Sequence, residues 1–288
     1  MSQAPRPGTA PAHPPRRTGA GQAREVEAYA GKGWVRFGPD PVLAEWVEAA
    51  RPVAMGIAGD PEMQARWLRC GGTWFAGVNV LPNDADGAVE EAGVPALSGA
   101  AVDFVRDALG LAPEAWDRAQ VSVCHPGYPR PWEGESEAAF GYRLRRDAAH
   151  VDGLLRDDAR RRCIGETHAF LLGLPLTEAH PDAAPFVVWE GSHEIMRRAL
   201  RERLAGVPAG HWSEADVTDA YWAARREAFE TCPRVAIRAR PGEAYVCHRL
   251  LLHGVAPWTA PEGPPRAIAY FRPERGAAPD PRWWLEAP

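Results

Sequence analysis

The second half of the chain is a series of short apolar segments separated by turn residues, and this pattern limits its fold. From Ala119 onward the segments are "AQVSVC", "ETHAFLLGLPLTEA", "APFVVWEGSH", "RVAIRA", "EAYVCHRLLLH" and "RAIAYFRP". Apolar and polar residues alternate in several of them, which is typical of β-strands, and Pro, Gly, Asn and Asp lie between them. Because helices do not alternate with these strands, the pattern predicts an antiparallel barrel or jelly roll and not a parallel sheet.

Helical periodicity occurs in two other places. It starts near Glu25 and recurs in "PVLAEWVEAA" and "PEMQARWLRC", and it returns as an insertion at about residues 193–231. Residues 1–24 contain five prolines, three glycines and no acidic residue, which predicts a disordered tail. We therefore expect a mainly β domain over residues 25–288, with N-terminal helices supporting a β-roll core at about 119–275.

Composition excludes several classes of partner. The 33 basic and 38 acidic residues give a net charge of −5, so a broad phosphate-binding surface and a nucleic-acid partner are not expected. No apolar run approaches the roughly 20 residues that cross a bilayer. The pair Arg16-Arg17 could suggest an export signal, but the apolar stretch that such a signal needs does not follow it. The five cysteines lack Cys-x-x-Cys spacing, which favours reduced, buried thiols. We expect a cytoplasmic protein with a small-molecule substrate and no membrane partner; the oligomeric state is not indicated.

A candidate metal site begins in "DAAHVDGLL", residues 147–155. His150 and Asp152 are two residues apart, so in an extended segment both side chains point to the same side. An imidazole nitrogen beside a carboxylate suits a divalent first-row metal. Two histidines and one carboxylate on one face of such a metal form the arrangement of non-haem iron oxygenases.

The pair alone is weak evidence, because nine histidines and 38 acidic residues produce about one His-x-Asp/Glu match by chance. A second match is His180-Pro181-Asp182. It lies in a predicted turn, where Pro181 fixes the backbone and Asp182 can bond its own neighbours, so a structural role is favoured there.

Two later features distinguish the first pair. In "CHRLLLHGVAPW" a predicted strand ends at His253, and Gly254 after it leaves room for the imidazole to face a barrel mouth. Arg266, 13 residues further on, opens the strand "RAIAYF". An arginine that projects into a barrel is costly unless it meets an anion, and its planar fork matches a carboxylate. Together these residues predict a site for a small acid that chelates the metal.

At this point the chain resembles the phytanoyl-CoA dioxygenase-like family. The segments "HVD", "VVWEGSH", "LLLHGVAPW" and "RAIAYF" occur in the order seen in that family, over about residues 120–275. The resemblance implies a double-stranded β-helix, a cupin-like jelly roll. It also implies that His150, Asp152 and His253 hold Fe(II) and that Arg266 binds the distal carboxylate of the co-substrate 2-oxoglutarate. The implied reaction uses dioxygen to hydroxylate a small molecule and releases succinate and CO2.

The chain departs from the family pattern after the distal histidine. Val255 stands where members often have a hydroxyl, and Trp258 replaces an amide, so the secondary contacts to 2-oxoglutarate must differ. Two alternatives stay open. A cupin-like metal-dependent isomerase or hydrolase would need the metal but not Arg266, and a noncatalytic member would keep the fold as a binding module.

Overall fold

The structure is a computed structural model that describes residues 19–111, 113–275 and 281–286. The helices are α1 (Gly19–Lys32), α2 (Pro41–Gly59), α3 (Pro61–Trp67), α4 (Ala100–Asp103), α5 (Glu137–Arg146), α6 (Ser192–Arg203) and α7 (Thr218–Thr231). The strands are β1 (Trp34–Phe37), β2 (Leu68–Arg69), β3 (Trp74–Gly77), β4 (Gln120–Cys124), β5 (Leu154–Arg156), β6 (Arg162–Ile164), β7 (Phe170–Pro175), β8 (Phe186–Trp189), β9 (Arg234–Ile237), β10 (Ala244–His248), β11 (His253–Val255) and β12 (Arg266–Phe271).

A seven-stranded antiparallel sheet forms the larger layer, in the order β1-β10-β7-β12-β4-β3-β2. Its central strands β10, β7 and β12 are buried on both faces, as β12 illustrates. Ala267, Ala269 and Phe271 belong to the core on one face, while Ile268 and Tyr270 belong to a separate core on the other. This division follows the period-2 alternation of a strand.

A three-stranded antiparallel sheet, in the order β11-β8-β9, faces the larger sheet. The core between the sheets is built on Phe186 of β8, whose ring stacks on Tyr245 of β10 at 5.3 Å and lies 5.6 Å from Tyr270 of β12. Strands β5 and β6 form a separate hairpin. The predicted metal ligand His253 begins β11 and so lies on the smaller sheet, next to the apolar layer that the two sheets share.

Helices cover the outer faces of both sheets. Trp46 of α2 meets Phe271 of the larger sheet edge-on at 5.7 Å. The Asp40 carboxylate caps α2 by accepting from Val42 N at 2.9 Å, and it also accepts from Ala100 N at 2.7 Å. On the other side, α6 and α7 pack against the smaller sheet in a core that includes Trp189. Each sheet thus buries its outer face against a helical layer.

The predicted architecture of antiparallel strands with helical support is confirmed, and α6 and α7 occupy the stretch where a helical insertion was predicted. The double-stranded β-helix stays a prediction. Residues 1–18 of the predicted tail lie outside the described residues, and for residues 19–24 the prediction is wrong because α1 begins at Gly19. The prolines of that segment end at Pro15, and α1 anchors itself through the fully buried Tyr29. In the described part of the chain, no helix has the length and apolarity needed to span a membrane.

Candidate metal centre

The segment that carries His150 is joined to β11 through the backbone. His150 N donates to His253 O at 2.8 Å, and His253 N donates to His150 O at 3.0 Å, which forms an isolated antiparallel bridge. Gly254 permits this close approach, because a Cβ at that position would collide with the carbonyl oxygen of Asp147. Two residues separated by about a hundred positions are therefore held side by side by main-chain bonds.

The side chains of His150, Asp152 and His253 converge, as the sequence predicted. His150 Nε2 lies 3.3 Å from Asp152 Oδ1, and His253 Nε2 lies 3.6 Å from Asp152 Oδ2. One ligand atom from each residue lies within 4.8 Å of the other two. The side chains of His253 and Asp152 are 7% and 13% exposed, while that of His150 is 44% exposed. Among the described residues no other His, Cys, Asp or Glu joins this group.

Both imidazoles are oriented by the backbone. His150 Nδ1 lies 3.0 Å from Ala148 O, and His253 Nδ1 lies 2.9 Å from Leu251 O. Since a carbonyl only accepts, each Nδ1 must carry the proton, and each Nε2 keeps its lone pair in the neutral ring. These two lone pairs and the Asp152 carboxylate point at one another. Outer hydrogen bonds of this kind fix the tautomer of metal-binding histidines.

The charge states also suit a metal. Burial lowers the pKa of His253 to about 4, so its ring is neutral at neutral pH. Burial opposes the ionisation of Asp152, but the Arg272 guanidinium and the two imidazoles that face its carboxylate hold the pKa of Asp152 well below its usual value. Burial opposes the charged form of His150, but the Asp152 carboxylate raises the pKa of His150 above its usual value. A metal ion bound there would take the place of that proton, and two neutral imidazoles with one carboxylate form a donor set for a divalent first-row ion.

The three side chains open into a small space that we call the triad cavity, with a volume of about 80 Å³. Phe186 forms part of its wall by stacking on His253 at 5.3 Å. Polar groups come from β4, where the Ser122 hydroxyl accepts from Trp74 Nε1 at 3.0 Å. The remaining lining residues are Gln120, Leu171, Gly254, Val255, Tyr270 and Arg272.

A second, larger space of about 410 Å³ lies beyond Phe186, which lines both, and we call it the rear cavity. Its buried part includes Ile237, Tyr245, Arg266 and Ile268, and its exposed rim includes Arg36, His180, Arg238 and Arg240. None of the three triad side chains lines it. The larger cavity is therefore not the one that holds the candidate metal ligands.

Arg266 is buried, as predicted, but it lines the rear cavity and not the triad cavity. Its Nη2 donates to Cys124 Sγ at 3.4 Å, while Nε and Nη1 have no hydrogen-bond partner among the described residues. Tyr270, which does line the triad cavity, interacts with the guanidinium. The structure thus places Arg266 next to the triad cavity, with Tyr270 between them.

Arg272 is a site residue that was not predicted from the sequence. Its Nη1 lies 3.5 Å from Asp152 Oδ2, and it lines the triad cavity. A signal for it is present in the sequence, because Arg266, Ile268, Tyr270 and Arg272 are spaced by two and so share one face of β12 and its extension. The prediction extended only to the first arginine of that row.

The competing pair, His180 and Asp182, lies in an exposed turn. The two side chains are 51% and 50% exposed, with 3.8 Å between Nδ1 and Oδ2, and the described residues supply no third metal-ligating group beside them. Asp182 N donates to His180 Nδ1 at 3.2 Å, which is a local turn contact. The structural role favoured for this pair agrees with that geometry.

Among the positions that depart from the family pattern, Val255 lines the triad cavity, whereas Trp258 does not. Trp258 Nε1 donates to Ala260 O at 3.0 Å. A further contact that the sequence did not reveal is Ser192, whose hydroxyl accepts from Leu252 N at 2.9 Å and so fixes the chain just before His253.

Comparison with known proteins found no matching protein-family model and no matching curated protein. The structure is similar to EctD from S. alaskensis with 2-oxoglutarate and 5-hydroxyectoine, at 17% identity over 86% of this chain and 74% of that chain, with a TM-score of 0.46. It is similar to the carbocyclase SnoK from nogalamycin biosynthesis at 15% identity over 88% and 87%, with a TM-score of 0.44. The epimerase SnoN, in complex with Fe3+, alpha ketoglutarate and nogalamycin RO, gives 17% identity over 89% and 85%, with a TM-score of 0.46. At this level of similarity, conclusions about this chain rest on its own residues.

Proposed function

We propose that the chain is a non-haem Fe(II)- and 2-oxoglutarate-dependent dioxygenase with a double-stranded β-helix core. In this proposal it hydroxylates a small molecule with dioxygen and releases succinate and CO2. The observation that carries the proposal is the convergence of two Nε2 lone pairs and one carboxylate within 4.8 Å of one another. Three protein ligands on one side of an ion leave its other positions for co-substrate and dioxygen.

The chain's residues fit both absent groups. His150, Asp152 and His253 would hold the iron, since both Nδ1 atoms bond backbone carbonyls and both Nε2 atoms face the Asp152 carboxylate. Arg266 would bind the distal carboxylate of 2-oxoglutarate, since its Nε and Nη1 are buried without a partner among the described residues. A buried guanidinium with unused N–H groups is costly unless an anion binds it.

When bound, the iron with its co-substrate supplies the oxidative activation of dioxygen. The protein's own part is to orient and to exclude water. The Ala148 and Leu251 carbonyls keep the two imidazoles in the ligand tautomer. The Phe186 ring covers one side of His253 and so limits access of water to that ligand.

One observation favours a second candidate, a metal-dependent isomerase or hydrolase. Arg266 borders the rear cavity and not the triad cavity, and such an enzyme would need the triad but no carboxylate clamp. The two candidates differ in whether 2-oxoglutarate binds at the metal.

Anaerobic titration separates them. Fe(II) is added to the protein with 2-oxoglutarate, and the weak visible charge-transfer band of their complex is followed. We expect the wild type to form the band and His150→Ala to abolish it. Arg266→Ala should raise the 2-oxoglutarate concentration needed by roughly tenfold to a hundredfold, because a hydrogen bond to a charged group contributes about 1.5–3 kcal/mol.

Matched controls are His211→Ala and Arg238→Ala, whose side chains are exposed and lie outside the triad cavity. Both should form the band as the wild type does. If the wild type binds Fe(II) but forms no band with 2-oxoglutarate, the dioxygenase proposal fails and the second candidate stands.

A further inference from the structure

Arg272 is held in place through its backbone directly after β12. Its N–H donates to both carboxylate oxygens of Asp117, at 2.9 and 3.1 Å. Its carbonyl oxygen lies 2.9 Å from His168 Nδ1. The main chain is thus held on both sides of the residue, and the side chain lines the triad cavity.

The guanidinium of Arg272 makes few bonds there. The side chain is only 14% exposed, and its Nε has no partner among the described residues. The nearest charge is Asp152, whose Oδ2 lies 3.5 Å from Nη1. That separation exceeds the roughly 2.7–2.9 Å of a charge-assisted hydrogen bond. The Arg272 guanidinium is therefore close to Asp152, but Asp152 does not supply it with a short charge-assisted hydrogen bond.

Under the proposed function, the positive charge of Arg272 would have less negative charge beside it. A divalent metal would take the charge of Asp152, and the two negative charges of 2-oxoglutarate would then face the metal and Arg266. One positive charge, that of Arg272, remains in the triad cavity. Two other carboxylates lie near enough to feel the Arg272 charge, but Glu166 bonds His168 Nε2 at 2.9 Å and Asp117 bonds the Arg272 backbone. Neither makes a direct side-chain bond to the guanidinium.

We infer that Arg272 binds a carboxylate of the primary substrate, so that the substrates of this site are small organic acids. The inference rests on the proposed function. A planar fork can hold a carboxylate through two parallel hydrogen bonds, which fixes orientation as well as position. Since the same guanidinium lies beside Asp152, an acid bound there is held next to the metal ligands.

A rival role is that Arg272 only positions Asp152. The two roles predict different losses when the charge is removed. A positioning residue would affect metal binding, whereas a substrate contact would leave the metal and co-substrate complex intact and change only the preference for acids.

The experiment uses the anaerobic Fe(II)–2-oxoglutarate complex of the full chain. Its visible band is followed while matched pairs of probes are added: benzoate and benzamide, then hexanoate and hexanamide. Each pair differs only in the charged group. We expect the wild type to bind at least one acid about tenfold more tightly than its amide, as a charged hydrogen bond predicts. Arg272→Gln should remove the preference, and Arg272→Lys should restore part of it.

Arg238→Gln, at the exposed rim of the rear cavity, is the matched control and should keep the wild-type preference. The inference is overturned if no acid binds more tightly than its amide, or if Arg272→Gln leaves the preference unchanged. It is also overturned if Arg272→Gln weakens Fe(II) binding, because the residue then positions Asp152. Failure of the proposed function is a separate result, since then no band forms in the wild type.

Discussion

The triad cavity and the rear cavity share the Phe186 ring and one row of side chains on β12, yet they differ in almost every other respect. The triad cavity measures about 80 Å³ and holds the three candidate ligands, while the rear cavity measures about 410 Å³ and holds none. Their walls also differ, because the His150 and His253 segments, joined by main-chain bonds, form part of one, while exposed arginines such as Arg36 and Arg238 form the rim of the other. The convergence of ligand atoms, and not the size of the space, marks the triad cavity as the candidate site.

The two arginines of β12 and its extension repeat this contrast. Arg272 stands beside a carboxylate and is anchored through its backbone, whereas the Arg266 side chain donates to the thiol of Cys124 and interacts with Tyr270. They are six positions apart along the chain, so the row of alternating side chains runs from one cavity to the other. Under the proposed function, Arg266 and Arg272 would therefore each bind a separate carboxylate.

The largest effect on the free energy of unfolding should come from a substitution in the main-chain wall of the triad cavity. In Gly254→Ala the new Cβ collides with the Asp147 carbonyl oxygen, and backbone cannot move aside cheaply. We expect the free energy of unfolding to fall by about 4 kcal/mol, as for severe overpacking, with loss of Fe(II) binding. Chemical denaturation and metal titration measure both.

The wall of the rear cavity provides the comparison variant. In Gly173→Ala the Cβ meets the Tyr245 ring, which lines the rear cavity and can shift into it. The expected loss is about 1–2 kcal/mol. Equal losses in the two variants would contradict the distinction between a rigid and a yielding wall.

An intermediate effect should come from Asp117, which anchors Arg272. Burial raises the pKa of Asp117 from 3.8 to about 6. The folded state therefore binds this proton more readily than the unfolded state, and wild-type stability from this group rises as the pH falls from about 6 towards 4. Asp117→Asn cannot titrate. Its stability relative to wild type should fall by about 2 kcal/mol over that range, since a tenfold difference in proton affinity corresponds to about 1.4 kcal/mol. A difference that does not vary with pH in denaturant titrations would refute this.

The smallest effect should come from Arg266. In metal-free protein its buried charge lacks a bonded anion among the described residues, so Arg266→Met should raise the free energy of unfolding by about 1–2 kcal/mol. The same variant should lose affinity for 2-oxoglutarate. Calorimetric unfolding of the metal-free variant tests the gain, and a loss of stability would mean that the contacts with Cys124 and Tyr270 outweigh the cost of burying the charge.

The sequence was most informative where function depends on local spacing. His150 and Asp152 were visible because two residues of extended chain share a side, and His253 because a glycine follows it at a strand end. Arg272 was missed because the strand pattern was followed no further than Arg266.

Other features depend on distant partners and have no local signal. The Ser192 hydroxyl accepts from Leu252 N, sixty positions along the chain, while Gly191 holds the N-cap position of α6. The start of α1 was misplaced, because a Pro-rich composition was extended past its last proline to Arg24. The separation of Arg266 from the triad cavity likewise depends on Phe186 and Tyr270, whose positions only the folded chain defines.

The backbone bridge between residues 150 and 253 has a consequence for how this protein tolerates change in length. Because that bridge fixes His150, and side chains on an extended segment swap sides with every one-residue slip, a single insertion or deletion at position 151 would turn Asp152 away from the two imidazoles while preserving every ligand in the sequence. The number of residues in this short stretch is therefore as strictly constrained as their chemistry.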